Sequence, residues 1–253
     1  MKKLKLGSLL TLVLVLLTGC ESVDNKEGFF YSVFVKPMDS LLDFLGNTVF
    51  NGSYGLAIIA ITIAIRLVLM PFMLKNYRNQ AVMKTKMDVV KPKMDEIQKK
   101  LKTAETKEEQ MSLQQEMMGL YRDNGINPIN MGCLPIIIQM PIVMGLYFAI
   151  LHSADVKSHE FLWFSLGSPD ITMTIVAGII YFVQAKVSLW TVPDAQKAQM
   201  KIMMYISPIM IVFISFSSMA ALPLYWSIGG LILVIQTYIG KKYYSAIPEE
   251  IEK

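Results

Sequence analysis

The sequence predicts an all-α membrane protein with five transmembrane helices, and three observations carry that prediction. Of 253 residues, 53% are hydrophobic and only 17% charged, whereas soluble domains carry about 25% charged residues. The apolar residues gather in five runs near the roughly 20 residues that a helix needs to cross a bilayer. Of the 44 charged side chains (24 Lys and Arg, 20 Asp and Glu), only Arg66 and Lys186 fall inside those runs. The low average charge is therefore a mixture of nearly uncharged spans and connecting segments of ordinary soluble density.

Residues 1–19 read as a lipoprotein signal peptide. Lys2, Lys3 and Lys5 precede an apolar run from Leu6 to Leu17, which is too short to span and has the charged and apolar regions of a secretory signal. Leu17-Thr18-Gly19-Cys20 then resembles a bacterial lipobox. That resemblance implies cleavage before Cys20, diacylglyceryl modification of its thiol, and a lipid-anchored N-terminus on the extracellular side of a bacterial plasma membrane. A chance cysteine closing an ordinary signal peptide is the plainer alternative. In a chain with spanning helices the lipid is an extra tether rather than the sole anchor.

Residues 20–53 form the anchored N-terminus and an amphipathic stretch. Phe29, Phe30, Val33, Phe34, Met38, Leu41, Leu42 and Leu45 recur at helical spacing, with Lys36, Asp39 and Asp43 between them, which suits a helix lying in the outer interface. The spans follow at 54–74, 133–152, 171–190, 203–220 and 222–240. Segment 75–130 holds eleven basic residues, whereas 153–170 holds only Lys157, so the positive-inside rule places 75–130 in the cytoplasm. The protein is then multi-pass, with its first span running outside to inside and its tail, 241–253, cytoplasmic.

The cytoplasmic segment 75–130 reads as a helical hairpin. Met83, Met87, Val90, Met94, Ile97 and Leu101 alternate spacings of four and three, one stripe of a helix. Leu113, Met117, Leu120 and Tyr121 make a second stripe that ends at Asp123-Asn124-Gly125, where glycine supplies a left-handed stop. Pro92 is expected to bend or interrupt the first arm. Two readings stand: a recruiting platform for ribosomes or nascent chains that uses Met83, Met87, Met94 and Met117, or a solvated hairpin whose charge attracts anionic lipid and fixes topology. The 19 methionines likewise fit either an adaptable surface or ordinary apolar filling.

Arg66 lies nine residues before Lys75, roughly 13 Å along the helix. A cation at that depth costs at least about 2.5 kcal/mol, so it faces water or protein rather than lipid. No acid occurs in any span to pair with it. That favours a hydrated inner-leaflet groove open to the cytoplasm over a guanidinium satisfied by backbone carbonyls and glutamines. Thr62 lies one turn away on the same face, and Gln139 and Gln184 fall in the same half of the membrane. Lys186, near a helix end, reaches the surface by snorkelling. Tyr225 and Trp226 suit either the groove or an interfacial aromatic belt. His152 and His159 lack further ligands, and Cys20 and Cys133 are too few for a disulfide framework or a zinc site. Pro135, Pro141 and Pro208 are compatible with bent helices around a cavity.

The run from Asn127 to Tyr147, with Asn127-Pro128, Gly132-Cys133-Leu134-Pro135, Gln139-Met140-Pro141 and Leu146-Tyr147, resembles the YidC/Oxa membrane-protein insertase family. Arg66 before Met70-Pro71, the basic hairpin, Ile206-Ser207-Pro208-Ile209-Met210 and Leu222-Pro223-Leu224-Tyr225-Trp226 leading to Ile235-Gln236 extend the likeness over roughly residues 30 to 245. The lipobox and the five spans resemble the Gram-positive branch. The short tail departs from the long basic tails of some members, which weakens the case for a tail-mediated ribosome contact.

The resemblance implies an insertase or chaperone that helps integral membrane proteins insert and fold, alone or with the Sec translocon. Arg66 would attract acidic residues of a translocated segment, with Thr62, Gln139, Gln184 and Trp226 lining the groove. The implied partners are nascent membrane proteins, the ribosome, the translocon and membrane lipids, with no specific nucleic-acid sequence, cofactor or metal. A small-solute transporter or channel is the alternative, but no intramembrane acid offers a proton relay and no matching broken helices suggest an inverted repeat. An enzyme is not expected, because no span holds a Ser/Lys, His/Glu or paired-Asp constellation and no GxxxxGKS loop occurs.

Overall fold

The computed structural model describes residues 26–126, 133–192 and 197–244. The signal peptide, Cys20, the Asn127-Pro128 and Gly132 positions, and most of the 241–253 tail lie outside the described residues.

Helix α1, from Gly28 to Val49, is continuous but wound more widely over Tyr31–Val35 and Phe44–Val49, which are π-helical. Val35 and Leu42 are buried against the bundle, whereas Phe29, Val33 and Phe44 face outward. Gly145 of the neighbouring helix α4 (Cys133–His152) makes this docking possible, because a Cβ there would stand 2.8 Å from the carbonyl oxygen of Phe34. Asp39 and Asp43, one turn apart on α1, are half-buried. Burial first, then repulsion from Asp43, raises the Asp39 carboxyl above its ordinary value, and burial and Asp155 raise Asp43.

Helix α2 runs unbroken from Tyr54 to Thr103, 50 residues or roughly 75 Å. The first span and the first hairpin arm are therefore one rod. Pro71 and Pro92 are both accommodated within it, so Pro92 does not interrupt the arm. Helix α3, Lys107–Asp123, returns along α2. Its N-cap is Thr106, whose hydroxyl accepts from the Glu109 N–H at 3.2 Å, with Glu108 and Glu109 in the first turn, where negative charge suits the helix dipole. Gly125 takes a positive φ of 61°, and the Ile126 N–H donates to the Tyr121 carbonyl at 2.8 Å. This stop folds Ile126 into an apolar core with Met83, Met87, Val90 and Met94, against which Met117, Leu120 and Tyr121 pack.

Among the described residues, four helices are long and apolar enough to cross a membrane: α2, α6 (Ile171–Ser188), α7 (Lys197–Ser217, apolar from Met200) and α8 (Ala221–Tyr244). Helix α4 has 20 residues, with Gln139–His152 its described apolar part. Helix α8 is central, packed between α2 and α6, and α7 lies on the far side of α6. Helix α4 packs mainly on α1.

The end of the bundle opposite the hairpin is capped. Here α5 (Ala154–Ser158) leads into a two-stranded antiparallel ribbon of β1 (Glu160–Phe161) and β2 (Phe164–Ser165). The Ala220 and Ala221 N–H groups donate to Ser168 and Leu166 carbonyls at 2.9 and 3.1 Å, which ties the start of α8 to the cap. Asp170 caps α6 by accepting from the Met173 N–H at 2.7 Å. The main apolar core, including Leu42, Tyr54, Ile58, Ile61, Leu146, Ile150, Leu166 and Leu222, fills this capped half.

Candidate functional site

Toward the hairpin end the interior changes character. On α2 the fully buried Ile61 is followed by the buried Thr62, and on α8 the buried side chains include Gln236 and Thr237. Helix α4 is buried at Gly145, Leu146, Ala149 and Ile150, but from Gln139 to Met144 it is half-buried or exposed. An apolar plug at the capped end thus gives way to a polar, less covered interior.

Arg66 sits at this transition and is half-buried. Its main-chain carbonyl accepts from Gln236 Nε2 at 3.3 Å. Its guanidinium, however, lies against Gly229, where a Cβ would stand 3.2 Å from Nη2 and 3.8 Å from Nε, with Thr62 Cγ2 at 3.9 Å. Seven residues of α8 separate those levels, roughly 10 Å. The side chain therefore extends toward the capped end, the direction in which helical side chains lean on a helix whose N-terminus is there. No Asp or Glu occurs in α4, α6, α7 or α8, so the guanidinium is left to polar neutral groups.

The neighbours differ in how far their polar groups are already used. The Thr62 hydroxyl donates to the Ile58 carbonyl at 2.7 Å. Gln236 is 1% exposed, and its Oε1 has no hydrogen-bond partner among the described residues. An unsatisfied buried acceptor costs about 1–3 kcal/mol, so Gln236 offers a prepared acceptor beside the Arg66 backbone. At the hairpin end Tyr77 and Thr237 hydroxyls share a 2.8 Å hydrogen bond, and Gly240 leaves room for the Tyr77 ring. Gln184 Nε2 donates to Ser188 Oγ at 2.9 Å along its own helix. Gln139 is half-buried on the less covered part of α4. Trp226 packs on the capped-end apolar cluster.

Arg66 and Thr62 are thus brought together, while the Gln184 amide bonds along its own helix and Trp226 packs on the apolar cluster. Sequence reasoning assigned no groove role to Gln236 or Gly229. A signal for both existed: Gly229, Gln236 and Gly240 fall at helical spacing along α8 and mark the face that meets α2.

In the hairpin, Met87 and Met94 are fully buried, Met83 nearly so, and Met117 is half-buried. The Tyr121 O–H donates to Met94 Sδ at 3.3 Å. The outward apolar residues are instead Val82, Val89, Met111 and Met118. Among the described residues, no group of three or more His, Cys, Asp or Glu is placed to hold a metal.

Residues 45–247 match the family described as 60Kd inner membrane protein. A Staphylococcus haemolyticus protein named membrane protein insertase YidC is 48% identical over 256 residues, 98% of this chain and 88% of that protein. A Staphylococcus aureus protein of the same name is 48% identical over 257 residues, 99% of this chain and 89% of the relative.

Proposed function

This chain belongs to the 60Kd inner membrane protein family, and we propose from that premise that Arg66 and its polar surroundings serve membrane protein insertion. The near-complete coverage of relatives named membrane protein insertase supports the insertase reading and gives no support to a transporter or channel.

The observation that carries the mechanism is the half-buried Arg66, without an acidic partner in the neighbouring spans, at the level where an apolar core gives way to polar side chains. A carboxylate carried into the apolar layer meets a penalty of about 2.5–3.5 kcal/mol. A cation 4 Å away at an effective dielectric of 20 offsets it by about 4 kcal/mol. Arg66 therefore draws in the acidic part of an incoming segment. Gln236 Oε1 and the Thr62 hydroxyl solvate polar groups, with water supplied from the hairpin side, while the segment's apolar helix passes sideways into lipid. The barrier is lowered by solvation, with no covalent step.

The wider arrangement follows from charge and motif. Five spans, counting α4, surround the groove, and Gln139, Gln184 and Trp226 line its approaches. The hairpin end faces the cytoplasm, in line with the eleven basic residues of 75–130. Cys20 carries a lipid outside after signal-peptide removal. The ribosome and the Sec translocon meet the cytoplasmic face. In the hairpin Met83, Met87, Met94 and Met117 hold the arms together, so recruitment runs through the outer face they support.

The test is reconstitution of the purified full chain in lipid vesicles, scoring protease protection of a newly made small membrane protein. The expected result is protection well above protein-free vesicles. Protection no greater than in protein-free vesicles contradicts the function.

A further inference from the structure

Two consecutive glycines, Gly229 and Gly230, stand inside α8, where glycine is a poorer helix former than alanine. Both are buried, and each clears a different neighbour. A Cβ on Gly229 would stand 3.2 Å from Arg66 Nη2, whereas one on Gly230 would stand 2.8 Å from Ile180 Cγ2 and 3.3 Å from the Tyr181 ring. Successive helical residues point about 100° apart, so the pair thins α8 toward α2 on one side and toward α6 on the other, at one level.

We infer that Gly229 is a positioning residue for Arg66: its bare backbone is the seat that lets the guanidinium lie toward the capped end, and so sets how deep a substrate carboxylate is drawn. The inference deepens the insertase reading above and rests on it. A long, half-exposed arginine lowers its desolvation by turning toward water, which in this bundle means the polar, hairpin side. Its helical lean already carries it the other way, and Gly229 leaves the space it lies in, walled by the α8 backbone and Thr62. A methyl group at 229 makes that space tighter than ordinary van der Waals contact, and the guanidinium, as the mobile partner, withdraws. A retreat of a few tenths of an ångström from a carboxylate 4 Å away weakens its binding by about twofold at an effective dielectric of 20.

The neighbouring glycine supplies the control. Gly230→Ala makes the same chemical change at the same level and gains the same helix propensity, but meets Ile180 and the Tyr181 ring on α6 instead of Arg66.

The experiment compares wild type, Gly229→Ala, Gly230→Ala, Arg66→Ala and Gly229→Ala/Arg66→Lys in vesicles, with one small substrate bearing either an acidic or a neutral translocated tail. Unfolding temperatures in detergent are recorded alongside. Gly229→Ala is expected to lower acidic-tail insertion about twofold, to leave neutral-tail insertion unchanged and to keep the unfolding temperature. Gly230→Ala leaves the two tails equal to each other. The Gly229→Ala/Arg66→Lys double variant, whose slender ammonium does not need the seat, recovers acidic-tail insertion. Equal losses for both tails with Gly229→Ala, or no loss for either, overturn the inference. If Arg66→Ala is selective for acidic tails and Gly229→Ala is not, only the seat is wrong. If Arg66→Ala itself shows no selectivity, the attraction mechanism fails along with it.

Discussion

The side-chain amide of Gln236 donates to the main-chain carbonyl of Arg66 at 3.3 Å, joining the last helix to the first at the residue that carries the charge. The other end of that amide, Oε1, is buried and without a partner among the described residues. One group thus positions the Arg66 backbone while holding an acceptor in reserve.

Gln236→Leu removes the unsatisfied acceptor and the hydrogen bond together. The Arg66 carbonyl loses this bond but keeps its place in the α2 helix, so one lost hydrogen bond and one relieved acceptor oppose each other at about 1 kcal/mol each, and the unfolding temperature in detergent is expected to hold. Insertion is expected to fall, because the polar level beside Arg66 loses its acceptor. A loss of stability with insertion intact would show that Gln236 is a structural brace only.

The hairpin methionines predict a different signature. Met87 and Met94 are fully buried between the arms, so truncating either to alanine is expected to cost about 2–5 kcal/mol of local stability. Amide hydrogen exchange across 83–97 and 113–126 should accelerate, whereas Met118→Ala, on an exposed residue, should leave it within about 0.5 kcal/mol. Unchanged exchange in Met94→Ala contradicts the packing of the arms.

Asp39 and Asp43 make the docking of α1 sensitive to pH. Both carboxyls are raised, chiefly by burial and with like-charge repulsion added, while Lys26 and His152 oppose the shift of Asp39 and the Tyr54 hydroxyl that of Asp43. An acid raised in the folded state binds more protons there than when unfolded, so its contribution is fully present below the ordinary value of 3.8 and is lost as pH rises through the raised one. Exchange of α1 amides, corrected for intrinsic rates, is expected to slow between pH 7 and pH 4. Asp43→Asn should slow it at pH 7 and flatten the dependence. Faster exchange on acidification contradicts this sign.

Much of the architecture was legible because the bilayer imposes a length and a polarity on every span. Arg66 stood out for the same reason, as the one deep charge in an apolar run. What sequence did not reveal was which face of one helix meets which face of another. Gly229 and Gln236 matter only because α8 turns both toward α2, and Gln184, equally polar and equally deep, spends its amide on Ser188. The methionine stripe was visible, but its destination follows from α3: two apolar stripes joined by the short turn at 104–106 bury each other before they can face a partner. The single rod of α2 was missed because a membrane surface is a boundary in polarity, and it need not be one in the helix.

The central claim is that Arg66 works by attracting negative charge into the membrane. It is tested most directly by measuring insertion into vesicles of one substrate with zero, one, two or three acidic residues in its translocated tail, by wild type, Arg66→Ala and Arg66→Lys. The account predicts that the Arg66→Ala defect grows with each added acid, by up to about tenfold for about 1.4 kcal/mol of lost attraction, is small for the uncharged tail, and is largely absent in Arg66→Lys. A defect that is the same at every tail charge, or that Arg66→Lys fails to relieve, would contradict it.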